Sequence, residues 1–159
     1  RSSPGLYRHF AMEDLRFSDK EKLLDIKKKT LSEVMPEQVT AISGSDIDPH
    51  ALKLAHRHIA QAGINEYSIP LACIPLQKLY LENDNGVFLC NPPYGERLSD
   101  QNSCRQLYRD LHELKDRHHG WRLCAISSDP AFERSYGKKA DRKRRLSNGR
   151  LECVFYCFD

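Results

Sequence analysis

Val87 to Cys90 form an unbroken apolar run that is halted by Asn91, Pro92, Pro93 and Tyr94. Four apolar residues in succession read as the end of a buried strand. Two consecutive prolines then fix the backbone and remove two N–H donors, so no β-ladder continues through them. The strand must stop there, in a rigid turn that carries an amide and an aromatic ring at its carboxyl end.

The rest of the chain alternates around that strand. Ser18-Asp19-Lys20-Glu21 reads as a capping box opening a helix with Leu23, Leu24, Leu31 and Val34 at helical spacing, and Pro36 closes it. Val39–Asp48 predicts a strand ending in carboxylates. Asp48 then caps a helix with Pro49 at its first position, Leu52, Ala55, Ile59 and Ala62 on one face, and Gly63 at its end. Tyr67–Leu71 predicts a weak strand and Gly86–Cys90 a strong one. Leu107, Leu111 and Leu114 mark a helix ending near Gly120, Trp121–Ser127 a buried strand, and Asp129-Pro130 the start of another helix. Asn148-Gly149 between two long β-prone runs is a hairpin signal. Strands alternating with helices, then a hairpin, predict an open, mostly parallel α/β sheet with an antiparallel edge.

With 159 residues, the chain has enough length for one core-bearing domain. No apolar run approaches the roughly 18 residues of a membrane span, and the start Arg1-Ser2-Ser3 is no signal peptide. The six cysteines form no CxxC pair and mostly sit in apolar stretches, which predicts free thiols, a cytoplasmic location and no metal site. Lys138, Lys139, Arg142, Lys143, Arg144 and Arg145 oppose a single acid, Asp141. They suit either a solvated edge strand or a stripe that contacts nucleic-acid phosphates.

Ligands of open α/β sheets bind beyond the carboxyl ends of the strands. Two such ends carry polar groups. Asp46, in GSDID, can accept both hydroxyls of a ribose, with Ile47 beside the attached base; the plain alternative is a solvated loop carboxylate. In NPPY the Asn91 amide oxygen and the Pro92 carbonyl make two acceptors at fixed separation, held by Pro92 and Pro93, with the Tyr94 ring alongside. That arrangement suits a planar group bearing an NH2, such as the exocyclic amine of a nucleobase. Such a base must be single-stranded or flipped to enter.

NPPY resembles motif IV of amino-group methyltransferases that use S-adenosylmethionine. Together, GSDIDPHALKLAHRHIAQAGI, NPPYGERL, GWRLCAISSDPAF and KKADRKRRLSNGRLECVFY resemble the bacterial RlmL-type 23S rRNA guanine-N2 methyltransferases. That group is also labelled N6-adenine-specific DNA methylase. The resemblance implies a class I, Rossmann-like methyltransferase domain over residues 1–159, and a THUMP RNA-binding domain on the N-terminal side of full-length members. It implies that Asp46 and Ile47 hold the cofactor, that Asn91 and Pro92 accept the target amine, that Tyr94 stacks on the base, and that the stripe from Lys138 to Arg145 touches RNA. The glycine-rich loop DPxCGSGT is absent; SSPGLYRHFAMEDL resembles the segment following it, so an N-terminally incomplete domain without its first strand is expected. Ser68 to Leu81 contains no carboxylate where the family commonly has one near the cofactor adenine, and His58 stands where the family usually has Asn.

The sequence thus points to methyl transfer onto a nucleobase amine, foremost guanine N2 of 23S rRNA. An N6-adenine DNA methyltransferase and a non-catalytic RNA-binding module are the alternatives. Oligomeric state is not legible.

Overall fold

A computed structural model of the chain describes residue 6 and residues 8–33, 41–94, 101–149 and 151–159. They fall into two compact units, one up to Ile74 and one from Pro75 onward.

The first unit contains α1 (Lys20–Ser32), β1 (Gly44–Asp46), α2 (Pro49–Gln61) and β2 (Leu71–Cys73). The cap of α1 is Asp19, one residue later than the capping box predicts. Its carboxylate accepts the Lys22 N–H at 2.9 Å. That shift leaves Glu21 too early to close a box and Ser18 Oγ buried with no partner among the described residues. Pro36, with the start of the strand expected from Val39, lies outside the described residues. The strand itself is only Gly44–Asp46.

Asp48 caps α2 as its side chain predicts, accepting the His50 N–H at 2.8 Å with Pro49 in the first turn. The strand expected at Tyr67–Leu71 is displaced. Asn65 Oδ1 accepts the Tyr67 N–H at 3.0 Å and folds Glu66–Ser68 into a single 3-10 turn. Pro70 has no N–H to give a ladder, so β2 begins at Leu71. It pairs in parallel with β1, Asp46 level with Cys73.

The second unit contains β3 (Gly86–Cys90), α3 (Gln101–Arg117), β4 (Trp121–Ser127), α4 (Phe132–Tyr136), β5 (Arg142–Asn148) and β6 (Leu151–Phe158). Its sheet runs β3-β4-β6-β5. Only β3 and β4 are parallel here; β6 is antiparallel to both β4 and β5. The pairing is mixed, as the expected antiparallel edge implies: β1–β2 and β3–β4 are parallel pairs, and both pairings made by β6 are antiparallel. Gly149, at φ 62°, supplies the left-handed residue that the two-residue hairpin turn needs.

α3 and α4 cover one face of this sheet. Tyr108, Leu111 and Leu114 of α3 meet Leu123 and Ala125 of β4, Phe132 and Tyr136 of α4, and Tyr156 and Phe158 of β6. The helix expected from Asp129-Pro130 starts later, at Phe132, because Asp129 Oδ1 accepts the Ala131 N–H at 2.8 Å and closes a turn first. His118 is buried, its Nδ1 donating to the Leu114 carbonyl at 2.9 Å and its Nε2 accepting the Leu81 N–H at 3.1 Å, a structural use of a neutral ring. Gly120 lets the chain pass Asp84, whose carbonyl oxygen leaves no room for a Cβ there.

Candidate active site

β3 delivers the NPPY turn. Phe88 packs below it, its ring stacked 4.5 Å from Trp121. Beyond Cys90 the chain turns outward: Asn91 is exposed, Pro92 buried, Pro93 exposed and Tyr94 half-buried. The Tyr94 hydroxyl donates to Asn91 Oδ1 at 2.5 Å. The amide oxygen that the sequence marks as an acceptor thus has an internal donor. On the α3 side, the Tyr108 hydroxyl donates to the Pro93 carbonyl at 3.0 Å. Tyr108 escaped the sequence reading because it sits on the apolar face of α3 beside Leu107 and passes for core.

β3 and β4 are parallel with Cys90 level with Ala125, so their carboxyl ends emerge together. β4 ends at Ser127, 1% exposed, whose Oγ accepts the Asp129 N–H at 3.1 Å. The hairpin reaches the same edge, since Ser127 pairs with Val154 and Val154 with Arg145. Between the Ser127–Pro130 turn and the hairpin lies a groove of ≈ 640 Å³ lined by Asp129, Arg145, Ser147, Glu152 and Tyr156 among others.

The basic stripe divides. Lys138 and Lys139 precede the edge strand β5, while Arg142, Lys143, Arg144 and Arg145 lie on it. Alternation sends Lys143 and Arg145 to the α4 side and Arg142 and Arg144 to the other. Three of the six cations are neutralised locally. Lys143 holds Glu133 at 2.9 Å, Arg142 meets Asp159 at 3.2 Å, and Lys138 meets Asp141 at 3.3 Å. Burial would raise the Glu133 carboxyl, but the Ala140 N–H and Lys143 hold it below the usual carboxylate range. Among the described residues, Lys139, Arg144 and Arg145 make no ion pair.

In the first unit, β1 presents Asp46 at its carboxyl end. Asp46 Oδ1 accepts the Asp48 N–H at 2.8 Å, and Ile47 is 71% exposed. The Cys73 thiol lies 3.7 Å from the Ile47 carbonyl oxygen. A backbone-anchored carboxylate followed by an exposed apolar side chain fits the ribose and adenine of a nucleoside cofactor. All the residues predicted from GSDID and NPPY stand at carboxyl ends of strands, each within its own unit.

The family model for UPF0020, the RMKL-like methyltransferase domain, matches residues 1–156. The chain belongs to this family. A ribosomal RNA large subunit methyltransferase K/L of Shewanella woodyi is 35% identical over 158 residues, covering 96% of this chain and 22% of that protein. Its counterpart in Desulfotalea psychrophila is 37% identical over 114 residues, covering 71% of this chain and 16% of its own length. The chain thus spans about a fifth of these curated relatives. Among solved structures, the methyltransferase SMU.472 complexed with SAH superposes with TM-score 0.83 at 32% identity, over 98% of this chain and 41% of that one. A Listeria monocytogenes protein described as an N6-adenine-specific DNA methylase gives 0.84 at 30% identity, over 99% and 40%. A human methyltransferase 10 domain containing protein, at 12% identity and TM-score 0.56, shares the fold. The Rossmann-like methyltransferase fold expected from the sequence is the fold observed.

Proposed function

We propose that this domain transfers a methyl group from S-adenosylmethionine to the exocyclic N2 amine of a guanine in large-subunit ribosomal RNA. The observation that carries the reading is the NPPY turn at the carboxyl end of β3, in a chain of the RMKL-like family. The relatives named as ribosomal RNA large subunit methyltransferases supply the RNA class, and the SAH complex of SMU.472 supports the cofactor. When bound, S-adenosylmethionine supplies an electrophilic methyl group on a sulfonium.

This chain's residues do the positioning. Asp46 takes the ribose hydroxyls and Ile47 flanks the adenine. The Asn91 amide oxygen and the Pro92 carbonyl accept the two amine hydrogens, and the Tyr94 ring stacks on the base. An aromatic amine is a poor nucleophile because its lone pair is shared with the ring. Two preorganised acceptors favour the pyramidal nitrogen and the positive charge that develop as the N–C bond forms and the C–S bond breaks. No strong base lies in NPPY, so the amine proton leaves to solvent. Arg144, Arg145 and Lys139 contact phosphates. A THUMP-type domain on the N-terminal side adds RNA affinity, and the reaction takes place in the cytoplasm.

Asn91→Ala is expected to lower turnover by about 100-fold or more while cofactor affinity by calorimetry stays within about threefold; equal losses in both would sink the assignment. The contact between Tyr94 and Asn91 adds a second expectation. Tyr94→Phe keeps the ring and releases the acceptor, so turnover should hold within about threefold, whereas Tyr94→Ala should lose about tenfold or more through lost stacking. The Listeria protein's description favours adenine N6 as the competing target. Digestion of methylated rRNA and of methylated duplex DNA to nucleosides separates N2-methylguanosine from N6-methyladenosine.

A further inference from the structure

Tyr108 lies in α3 with its side chain wholly buried, 0% exposed. Packing accounts for its ring, which meets Phe132 edge-on with centroids 4.7 Å apart. Packing does not account for its hydroxyl, since phenylalanine would fill the same space with no polar atom to satisfy. That hydroxyl donates to the Pro93 carbonyl at 3.0 Å. Ser127 and Asp129, at the end of β4, lie beside the same phenol. One buried oxygen therefore ties α3 to the turn at the end of β3, beside the end of β4.

Prolines explain why the tie is needed. Pro92 and Pro93 have rings that lock φ, and Pro93 also restricts ψ of Pro92, yet ψ of Pro93 itself is not locked, and neither residue has an N–H to anchor the turn from within. The orientation of the turn must be set from outside. Burial pushes the Tyr108 phenol up to about 12, so it stays protonated and a donor throughout the working pH range.

We infer that Tyr108 is the positioning residue of the acceptor turn: its hydroxyl fixes the Pro93 peptide and thereby the aim of the Asn91 and Pro92 oxygens at the target amine. The inference rests on reading Asn91–Tyr94 as the turn that holds that amine. Tyr108 touches no substrate; it acts through the backbone it holds. A shift of about 1 Å in such a site costs on the order of 100-fold in rate.

The test is Tyr108→Phe in the natural full-length protein, with large-subunit rRNA lacking the modification and S-adenosylmethionine as substrates. We expect kcat to fall between about tenfold and 100-fold, with KM for both substrates within about threefold. Phe132→Leu is the packing control: it disturbs the same cluster without touching the hydroxyl and should leave kcat within about threefold. In an Asn91→Ala background, Tyr108→Phe should cost at most about twofold more, because the hydroxyl works only through the turn. Unchanged kcat, a loss confined to KM, an equal kcat loss in Phe132→Leu, or a full multiplicative loss in the Asn91→Ala background would each overturn the inference. If Tyr108→Phe does not fold, 4-methylphenylalanine incorporated at position 108 replaces it, filling the space of the hydroxyl without a donor. A fall in kcat of about threefold or more at constant KM supports the role, and an unaltered kcat overturns it. Should Asn91→Ala itself leave turnover intact, the reading of the turn fails instead, and the two failures are told apart.

Discussion

The two units of this chain are built from similar elements and hold them by different means. From Pro75 onward, two helices close over a four-stranded sheet, and side chains such as Tyr108, Leu114, Leu123, Phe132 and Phe158 lose nearly all contact with water. Up to Ile74, none of the described residues is buried. Phe17 is 86% exposed, and Leu24, Ile26, Leu31, Ile42 and Leu54 are each about half exposed. The helices there are well capped and their apolar stripes well formed. Caps and periodicity suffice to define a helix, but stability comes from apolar area removed from water. The second unit has that area and the first does not.

The sharpest way to break this comparison is to cut it. A fragment of residues 75–159 should give a cooperative thermal transition and dispersed amide resonances. Residues 1–74 alone should give neither, and a folded first fragment would refute the contrast.

Single substitutions sharpen it. Phe132→Ala, from a fully shielded site ringed by Tyr108, Tyr136 and Tyr156, should cost about 3–5 kcal/mol in urea unfolding. Leu54→Ala, from a half-exposed site on α2, should cost about 1 kcal/mol or less.

The smallest effect expected concerns pH. Arg122, helped by Arg142, holds the Asp159 carboxyl below its usual range, and the Asp159 N–H with Lys138 does the same for Asp141. Folded values below the unfolded ones stabilise above the ordinary aspartate range of about 4. That contribution is lost as pH falls through the depressed values. The melting temperature should therefore be flat from about pH 5 to 8 and dip slightly in more acid solution, less so in high salt because these groups are exposed. A rise on acidification would contradict the assignment.

Local features were legible in the sequence. The Asp48-Pro49 cap and strand Trp121–Ser127 are each fixed by neighbours a few positions away and stand where expected; the hairpin signalled by Asn148-Gly149 forms too, with Asn148 as the last residue of β5, paired with Leu151. What depended on distant partners was not legible. The insertion of β6 between β4 and β5 is settled by pairing across the sheet that no spacing records, and Ser18 and Asp19 are both good caps, so their order alone does not choose between them. The same holds for the candidate site. NPPY announces itself because prolines and an amide are unusual at a strand's end. Tyr108 does not, because a tyrosine among leucines on a helix looks like core until its hydroxyl is seen to have a partner.

The order β3-β4-β6-β5 also carries a consequence for biosynthesis. β5 precedes β6 in the chain but reaches the sheet only through it. As the polypeptide emerges, the arginine-rich β5 segment has no strand to pair with until β6 has followed it out. During that interval the backbone N–H and C=O groups of β5 have no ladder partners. The pairing that ends this exposure is antiparallel and separated by a two-residue turn, which closes on the microsecond scale. The vulnerable period is thus set by the pace of translation across a handful of codons, and not by the search for a partner.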